Sequence, residues 1–191
     1  MPSATTYIST YLGNRFWPQE PRIDRIDLED IAHGLAYQCR FNGQTHAFYS
    51  VAQHSLMVAS ILPPHLHRAA LLHDAAEAYL GDMVKPLKRL LPDFSRIEAG
   101  VTELIAHAFA VDFGCEDAAT DPARHAIYRA IKQADMVALA TEKRDLMPHS
   151  TEAWSYLQGF EPLPQAIEPL PPAEAKRAFL AAWAATAKGP L

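Results

Sequence analysis

The stretch Ala69-Ala-Leu-Leu-His-Asp-Ala-Ala-Glu-Ala-Tyr-Leu80 decides the fold, because as a helix it is apolar nearly all the way round. Such a helix lies inside a core. Its ionisable residues His73, Asp74 and Glu77 need a partner there, since burying an isolated charge costs several kcal/mol. Residues 73 and 77 lie one turn apart on one face, and residue 74 lies about 100° round the helix. A cation above the helix could contact His73 and Asp74, with Glu77 beside it as a base.

Two other helical segments each carry one polar residue in an apolar stripe. His54 interrupts such a stripe in the segment 50–62, and Asp135 interrupts one in the segment 122–146. Taken singly, a core histidine or a helix acid more often satisfies another polar group of the protein. Three helices that each contribute a ligand type are harder to explain by chance, and together they favour a metal site.

Length and composition restrict the class of protein. The chain has 191 residues, of which 49% are apolar and 20% charged, and this predicts one soluble globular domain. Seventeen basic against 22 acidic residues give a net charge of −5, the wrong sign for binding a nucleic-acid polymer. Two cysteines favour a reducing cytoplasm. We expect no signal peptide and no membrane partner, since no apolar run approaches the roughly 20 residues needed.

The order of elements predicts an all-α fold with one small β-hairpin. Asn42-Gly43 lies between two alternating segments and predicts a hairpin near residues 37–49, after an irregular arm of 27 residues. Ser50 and Gln53 fit a capping box, as do Ser95 and Glu98. The predicted helices cover residues 28–35, 50–62, 64–80, 95–113, 122–146 and 173–187, with an extended stretch at 159–172.

The polar residues of these helices follow a known order. His54, then His73-Asp74, then Asp135 match the H…HD…D signature, so the chain resembles the HD-domain superfamily of metal-dependent phosphohydrolases. Further matches resemble its 5′-deoxynucleotidase-type branch; they are Gln53 to Ala59, Leu72 to Glu77, Gly81-Asp82, Pro86, Lys88 and Lys132 to Asp135. The resemblance covers roughly residues 50–145 and extends weakly to Asn14-Arg15 and Trp17.

The resemblance implies a compact HD-domain helical bundle that forms a single domain over residues 1–191. We divide it into an arm and hairpin (1–49), a metal-binding helical core (50–146) and a C-terminal extension (147–191). It implies one divalent transition metal, Mn, Co, Fe, Ni or Zn, held by four ligands: His54, His73, Asp74 and Asp135. It also implies that Glu77 is the catalytic acid or base.

The resemblance further implies contacts to a small nucleotide. Asp82, a catalytic candidate together with Glu77, matches a position near the sugar, and Lys88 and then Lys85 are the expected phosphate contacts. Arg15 and Trp17 match the family's arm, although one residue is inserted between them. The insert 31–49 contains four more candidates, which either decorate the surface or tune which nucleotide is accepted: His33, Arg40, His46 and Tyr49.

Three functions remain open at this point. The first is hydrolysis of a (deoxy)nucleoside 5′-monophosphate, which the modest number of basic residues near the metal helix favours. The second is release of triphosphate from a nucleoside triphosphate at the same site. The third is a non-catalytic metal or nucleotide sensor, which would not need Glu77. The resemblance also suggests a homodimer, with Phe179 and Trp183 serving either the core or a dimer contact.

Overall fold

The computed structural model describes residues 6–149 and 152–186, and the chain is mostly helical there, as predicted. The described residues form eight α-helices: α1 (Leu28–Tyr37), α2 (Val51–Ile61), α3 (His67–Leu72), α4 (Glu77–Leu80), α5 (Lys85–Lys88), α6 (Pro92–Phe109), α7 (Pro122–Leu146) and α8 (Pro172–Thr186). Short 3-10 turns cover Ile23–Arg25, Arg40–Gly43, Pro64–Leu66 and Ser155–Leu157. Two strands, β1 (Ile8–Ser9) and β2 (Arg15–Phe16), pair antiparallel. Within the described ranges, every helix is too short or too polar to traverse a lipid bilayer.

The β-hairpin predicted near residues 37–49 is wrong. Asn42 and Gly43 do have positive φ angles, of 52° and 73°, as the turn signal requires. Phe41 is also left-handed, with a φ of 55°, so three consecutive residues turn the chain and a two-residue hairpin turn does not form. The segment after the turn therefore forms no ladder with the residues before it, and the pairing is limited to one antiparallel bridge.

The segment after this turn is held by α7 instead of by a strand. The amide of His46 donates to the carbonyl of Leu146, the last residue of α7, at 3.1 Å. For the part of this loop between residues 37 and 50, the strand pairing in the structure is a single bridge between Cys39 and Ser50. A contact with a distant helix thus replaces the ladder that the alternation predicted.

A hairpin does form in the N-terminal arm, which was predicted to be irregular. Asp30 of α1 is buried, and its carboxylate accepts from the amide of Leu12 in the hairpin turn at 2.7 Å. Phe16 of β2 is fully buried and stacks on Tyr79 of α4, with 4.4 Å between the ring centroids. Two tertiary contacts therefore fix strands that are too short to show alternation in the sequence.

The helix predicted over residues 64–80 is interrupted in its middle. After α3, residues 73–76 form a tighter turn whose backbone hydrogen bonds span three residues, and α4 follows. Nδ1 of His73 lies 2.7 Å from the carbonyl oxygen of Ala70, the acceptor that the Asp74 amide would use in an unbroken α-helix. Competition of the imidazole for this carbonyl accounts for the break.

The predicted ends of α6 are wrong, whereas those of α7 are confirmed. α6 was predicted over residues 95–113, but Pro92 supplies the first helical position and Ala110, with a φ of 51°, ends the helix. Ser95 consequently lies inside α6 and does not cap it. Asp121 caps α7 as predicted, since its carboxylate accepts from two amides of the first turn.

The N-terminus of α2 is joined to the C-terminal segment. The Ser50 side chain caps α2 by accepting from the Gln53 amide at 3.1 Å, which is half of the predicted capping box. The Gln53 side chain does not complete the box. Its Nε2 donates to the carbonyl of Glu168 and its Oε1 accepts from the amide of Leu170, both at 2.8 Å. The extended stretch before α8 is therefore fastened to the helix that carries His54.

The core lies where α1, α2, α3 and α8 pack together. It draws on the arm and on the C-terminal segment as well as on the middle of the chain, with fully buried residues that include Phe16, Ile31, Leu35, Val58, Leu71 and Phe179. Phe179 is thus a core residue, and Trp183 packs against the same cluster while partly buried. The described part of α8, Pro172–Thr186, agrees with its prediction; residue 187 lies outside the described residues.

Candidate metal centre

His73 lies in the turn between α3 and α4, and the backbone fixes its ring. A carbonyl oxygen can only accept, so the 2.7 Å contact with Ala70 requires the proton on Nδ1 of His73. Nε2 of a neutral ring then carries the lone pair. This atom is buried and has no hydrogen-bond partner in the structure. Nε2 of His73 is therefore available as a metal ligand.

His54 lies in α2, is fully buried and is held in a similar way by a carboxylate. Its Nδ1 lies 2.6 Å from Oε1 of Glu142, a fully buried residue of α7. With Nδ1 engaged, Nε2 points in the other direction, where it makes no hydrogen bond. It lies 3.3 Å from Oδ1 of Asp135 and 3.5 Å from Oδ2 of Asp74.

These side chains converge on one point. The ligand atoms of His54, His73 and Asp135 all lie within 4.8 Å of one another. Oδ2 of Asp74 lies 3.2 Å from Nε2 of His73. Nitrogen lone pairs and carboxylate oxygens repel one another unless a proton or a cation lies between them. His54, His73 and Asp135 thus form a cluster that could hold a metal ion, contributed by α2, by the turn after α3 and by α7.

The two aspartates near this cluster are held as anions. Burial by itself would raise the pKa of Asp135, but the contact with His54 and the charge of Lys132 bring it well below its usual range. Nζ of Lys132 donates to Oδ2 of Asp135 at 2.6 Å, which leaves Oδ1 to face His54. Burial likewise opposes ionisation of Asp74, yet the His73 imidazole beside it lowers its pKa. Ionised carboxylates are the form that a metal requires.

The His54 imidazole experiences opposing charges. Burial and the nearby Arg40 guanidinium lower its pKa, but the carboxylates of Glu142 and Asp135 outweigh them and raise the pKa to about 9. A proton on Nε2 therefore balances the carboxylates of the metal-free cluster. A divalent cation would replace that proton and take over the same balancing charge.

Glu77 and Asp82 have the opposite tendency. Glu77 begins α4, is buried, and has an Oε2 atom without a hydrogen-bond partner. Burial and the charges of Asp74 and Asp82 raise the pKa of Glu77 well above its usual range. Burial also raises the pKa of Asp82. The site thus combines two acids of lowered pKa, Asp74 and Asp135, with two acids of raised pKa, Glu77 and Asp82, a separation typical of acid–base chemistry.

A cavity of about 500 Å³ opens beside the cluster. Its lining includes His73, Asp74 and Glu77 as well as residues 111–114. Along its wall, Nζ of Lys88 donates to Oε1 of Glu98 at 2.7 Å. Burial opposes the charge of Lys88, but Glu98 outweighs it and raises the lysine pKa. The cavity therefore presents a half-buried, permanently charged ammonium group near the cluster.

Three of the other predicted substrate contacts are absent from the wall of this cavity as far as the structure describes it. Lys85 is the first residue of α5, where burial and the charge of Lys132 lower its pKa. The guanidinium of Arg15 lies over the ring of Tyr7, 4.9 Å from its centroid. Trp17 lines a separate cavity of about 300 Å³. The structure thus groups Lys88 with the cluster and places Arg15 and Trp17 in the arm.

His33 lies in α1 and is held in an aromatic stack. Its ring is stacked between those of Tyr11 and Tyr37, with centroid distances of 3.8 and 4.3 Å. Burial and the charge of Lys176 lower its pKa. Among the described residues, His33 does not line the larger cavity. Its contacts join α1 to the hairpin turn of the arm.

Two residues of this centre were not identified as site residues from the sequence. Glu142 follows Asp135 by seven residues, two turns along the same face of α7, and this spacing is the signal that identifies it. Arg40 was left open between surface decoration and nucleotide selection. It is 8% exposed, and its Nε donates to Oε2 of Glu142 at 3.1 Å.

Comparison with known proteins identifies relatives over most of the chain. No protein-family model matches it. It is 37% identical over 154 residues to the uncharacterized protein YfdR of Escherichia coli K12, a match that covers 81% of this chain and 80% of YfdR. It is 36% identical over 186 residues to an uncharacterized protein of Rhodobacter capsulatus, covering 88% of this chain and 89% of that protein. At this identity and coverage, the chain belongs to the same protein family as YfdR.

Proposed function

We propose that this protein is a metal-dependent phosphohydrolase acting on a small nucleotide, with a (deoxy)nucleoside 5′-monophosphate as the favoured substrate. One observation carries the proposal: His54, His73 and Asp135 converge from separate elements within 4.8 Å, with both imidazoles turned so that Nε2 faces the common point. This convergence supports the resemblance of the H…HD…D order to the phosphohydrolases of the HD-domain superfamily.

In this proposal four residues hold one divalent metal: His54, His73, Asp74 and Asp135. Two imidazoles and two carboxylates suit a transition ion such as Mn²⁺, Co²⁺, Fe²⁺, Ni²⁺ or Zn²⁺. When bound, the metal supplies Lewis acidity toward the phosphoryl group and lowers the pKa of water. Lys132 and Glu142 orient two of the ligands without binding the metal. Lys132 contacts Oδ2 of Asp135 and Glu142 contacts Nδ1 of His54, which leaves Oδ1 and Nε2 to face the common point.

Glu77 is the proposed proton carrier. It lines the cavity, and its raised pKa lets it hold a proton under conditions in which Asp74 and Asp135 are ionised. In the protonated form it can donate that proton to the leaving ribose oxygen, and the carboxylate then left can take a proton from the water that attacked phosphorus. Asp82, which matches a position near the sugar by resemblance, contributes a second acid of raised pKa to the same neighbourhood.

Cavity size and charge favour a monophosphate. A volume of about 500 Å³ falls within the roughly 300–1,000 Å³ typical of small-molecule sites. Lys88 and Arg124 are the lysine and arginine residues of its described lining, and each is already paired with an acid, Glu98 and Asp112. A triphosphate would bring more negative charge than these two cations balance.

Product analysis tests the reaction. The protein is stripped of metal, reloaded separately with Mn²⁺, Co²⁺, Ni²⁺ or Zn²⁺, and incubated with dAMP or dATP. We expect inorganic phosphate from dAMP with at least one metal and none from the stripped protein. Tripolyphosphate from dATP would instead assign the triphosphohydrolase reaction. Release of neither product with any of the metals would refute phosphohydrolase activity and leave the metal or nucleotide sensor.

The variant Glu77→Ala separates catalysis from binding. We expect it to retain metal, measured by elemental analysis after desalting, while phosphate release falls by about 100-fold or more because the proton carrier is missing. Glu116→Ala removes an exposed glutamate outside the described cavity lining and should leave both readouts unchanged. Full turnover in Glu77→Ala would show that another group moves the proton.

A further inference from the structure

The metal cluster is backed by a buried pair of opposite charge. Glu142 is fully buried and Arg40 nearly so. Nε and Nη2 of Arg40 lie 3.1 and 3.0 Å from the same oxygen of Glu142, Oε2. The other oxygen, Oε1, lies 2.6 Å from Nδ1 of His54. Each oxygen of the carboxylate is thus committed to a different partner.

This division of the two oxygens fixes the function of each His54 nitrogen. A carboxylate oxygen accepts hydrogen bonds, so Nδ1 must carry a hydrogen while it faces Oε1. The ring can therefore offer a lone pair at Nε2 alone, and Nε2 is the atom 3.3 Å from Asp135 Oδ1. Without Glu142, the ring is free to place its hydrogen on Nε2, where it would block a metal.

Arg40 holds the carboxylate in the required orientation. The planar guanidinium donates to Oε2 through Nε, and its Nη2 lies 3.0 Å from the same oxygen, which restricts rotation of the carboxylate so that Oε1 stays directed at His54. The guanidinium also supplies the countercharge that a buried carboxylate needs. Its third nitrogen, Nη1, lies 3.8 Å from Oδ2 of Asp74, which places the same cation beside another proposed ligand.

The backbone around Arg40 explains how a loop residue can do this. Its amide donates to the carbonyl of Tyr49 at 2.9 Å, directly before the cap of α2. The next three residues, 41–43, are all left-handed and turn the chain away, so the Arg40 side chain is left facing α7. The loop that was predicted to be a hairpin is therefore built around this ion pair.

We propose that Arg40 and Glu142 are positioning residues that hold His54 in the form that binds metal through Nε2. The inference rests on the proposed metal site. It assigns a role to a loop residue and to a helix residue that do not belong to the proposed set of metal ligands. A merely structural ion pair would change the stability of the protein when broken, but it would leave the metal affinity and the coordination spectrum of the folded protein unchanged.

Titration with Co²⁺ alone, followed by visible absorption, provides the test. In Glu142→Gln, Arg40 retains the amide oxygen, so the amide NH₂ faces Nδ1 and the ring hydrogen moves to Nε2. We expect Glu142→Gln and Arg40→Met to weaken Co²⁺ binding by about 10- to 100-fold and to alter its spectrum. Arg40→Lys keeps the positive charge but lacks the planar guanidinium, so we expect its Co²⁺ affinity to lie between those of Arg40→Met and the wild type.

Arg144→Met is the matched control, because Arg144 forms an ion pair with Asp145 on the same helix and contacts none of the proposed ligands. It should bind Co²⁺ like the wild type. Wild-type affinity and spectrum in folded Glu142→Gln would overturn the proposal. If the variants do not fold, ¹⁵N-histidine NMR of the Zn²⁺-loaded wild type decides. The expected pattern for His54 is a protonated Nδ1 and a metal-bound Nε2, and binding through Nδ1 would contradict it.

The two proposals fail in different ways. Co²⁺ binding is measured without nucleotide, so loss of affinity in the variants supports the positioning role whether or not the protein hydrolyses anything. If the wild type binds Co²⁺ but releases no phosphate, the phosphohydrolase proposal is rejected and the positioning role of Arg40 and Glu142 can still hold. If the wild type is hydrolytically active but its Glu142→Gln variant binds Co²⁺ normally, the phosphohydrolase proposal stands and the positioning role is overturned.

Discussion

Glu77 makes the folded, metal-free protein sensitive to pH. Its pKa is raised by burial and by the nearby Asp74 and Asp82, so the folded chain holds this proton more tightly than the unfolded chain does. Below the ordinary glutamate pKa both states are protonated, and the stabilisation is fully present. As the pH rises toward the folded-state pKa, the unfolded state ionises first and that stabilisation is lost.

The variant Glu77→Gln should therefore stabilise the metal-free protein in a pH-dependent way. At neutral pH we expect a gain of about 1 kcal/mol, or 2–4 °C in Tm, and at acid pH no difference from wild type. Thermal melts followed by circular dichroism at both pH values measure it. Glu116→Gln, an exposed control, should show no difference at either pH. A Glu77→Gln advantage that is equal at acid and neutral pH would contradict the ionisation argument.

At the residue scale, the sequence predicts the candidate metal ligands better than the residues that hold those ligands in place. His54, His73 and Asp135 stand out because each is a polar residue in an apolar stripe, and the structure brings them together. Arg40 and Glu142 depend on each other across 102 residues of sequence, and no local pattern records such a pairing. Ionisable residues in apolar stripes are costly when unpaired, which is why they are visible in the sequence.

At the scale of elements, the contact of α1 with α4 is set by one glycine. A Cβ atom at Gly34 would lie 2.7 Å from the Ala78 carbonyl oxygen and 2.8 Å from the Ala78 Cβ. We expect Gly34→Ala to force α1 and α4 apart and to cost about 1–3 kcal/mol in the free energy of unfolding. Because α4 begins with Glu77, phosphate release should fall as well.

The control for this substitution is Gly100→Ala in the middle of α6. A Cβ at Gly100 would meet nothing within 4 Å, so the change adds helix propensity without a clash. It should stabilise the protein by about 0.5–1 kcal/mol. Urea unfolding curves of the two variants, compared with wild type, give the two free energies. If both variants changed the free energy of unfolding by the same amount in the same direction, the α1–α4 contact would have to accommodate the added methyl group without a clash.

One predicted cap marks an element boundary correctly and another does not, since Asp121 caps α7 whereas Ser95 lies inside α6. Asp121-Pro122 marks the start of α7 correctly, because the cap and the proline act within a few residues. Asn42-Gly43 predicts positive φ angles correctly but a hairpin wrongly, since the chain after them bonds to the end of α7 through His46. The turn chemistry is local, whereas the choice of partner is made by the whole fold.

At the scale of the whole molecule, the apolar core and the candidate metal cluster are two distinct groups of side chains. The core between α1, α2, α3 and α8 is made of apolar side chains from the arm, the middle and the C-terminal segment. The cluster that could hold a metal ion draws its residues from α2, the turn after α3 and α7. Protonation of His54 and the cations Arg40 and Lys132 already offset its carboxylates in the metal-free state. The fold therefore does not depend on a metal for charge balance.

Removal of metal should consequently lower the melting temperature without unfolding the chain. At a free Mn²⁺ or Co²⁺ concentration of about 100 times Kd, linkage predicts a stabilisation of about 2.7 kcal/mol. That corresponds to about 5–10 °C in Tm for a chain of this size. Circular dichroism before and after chelation should show the same helical signal at 25 °C, together with the lower Tm. Loss of the helical signal on chelation would instead show that the cluster is a structural metal site, because the core would then have failed to fold without the ion.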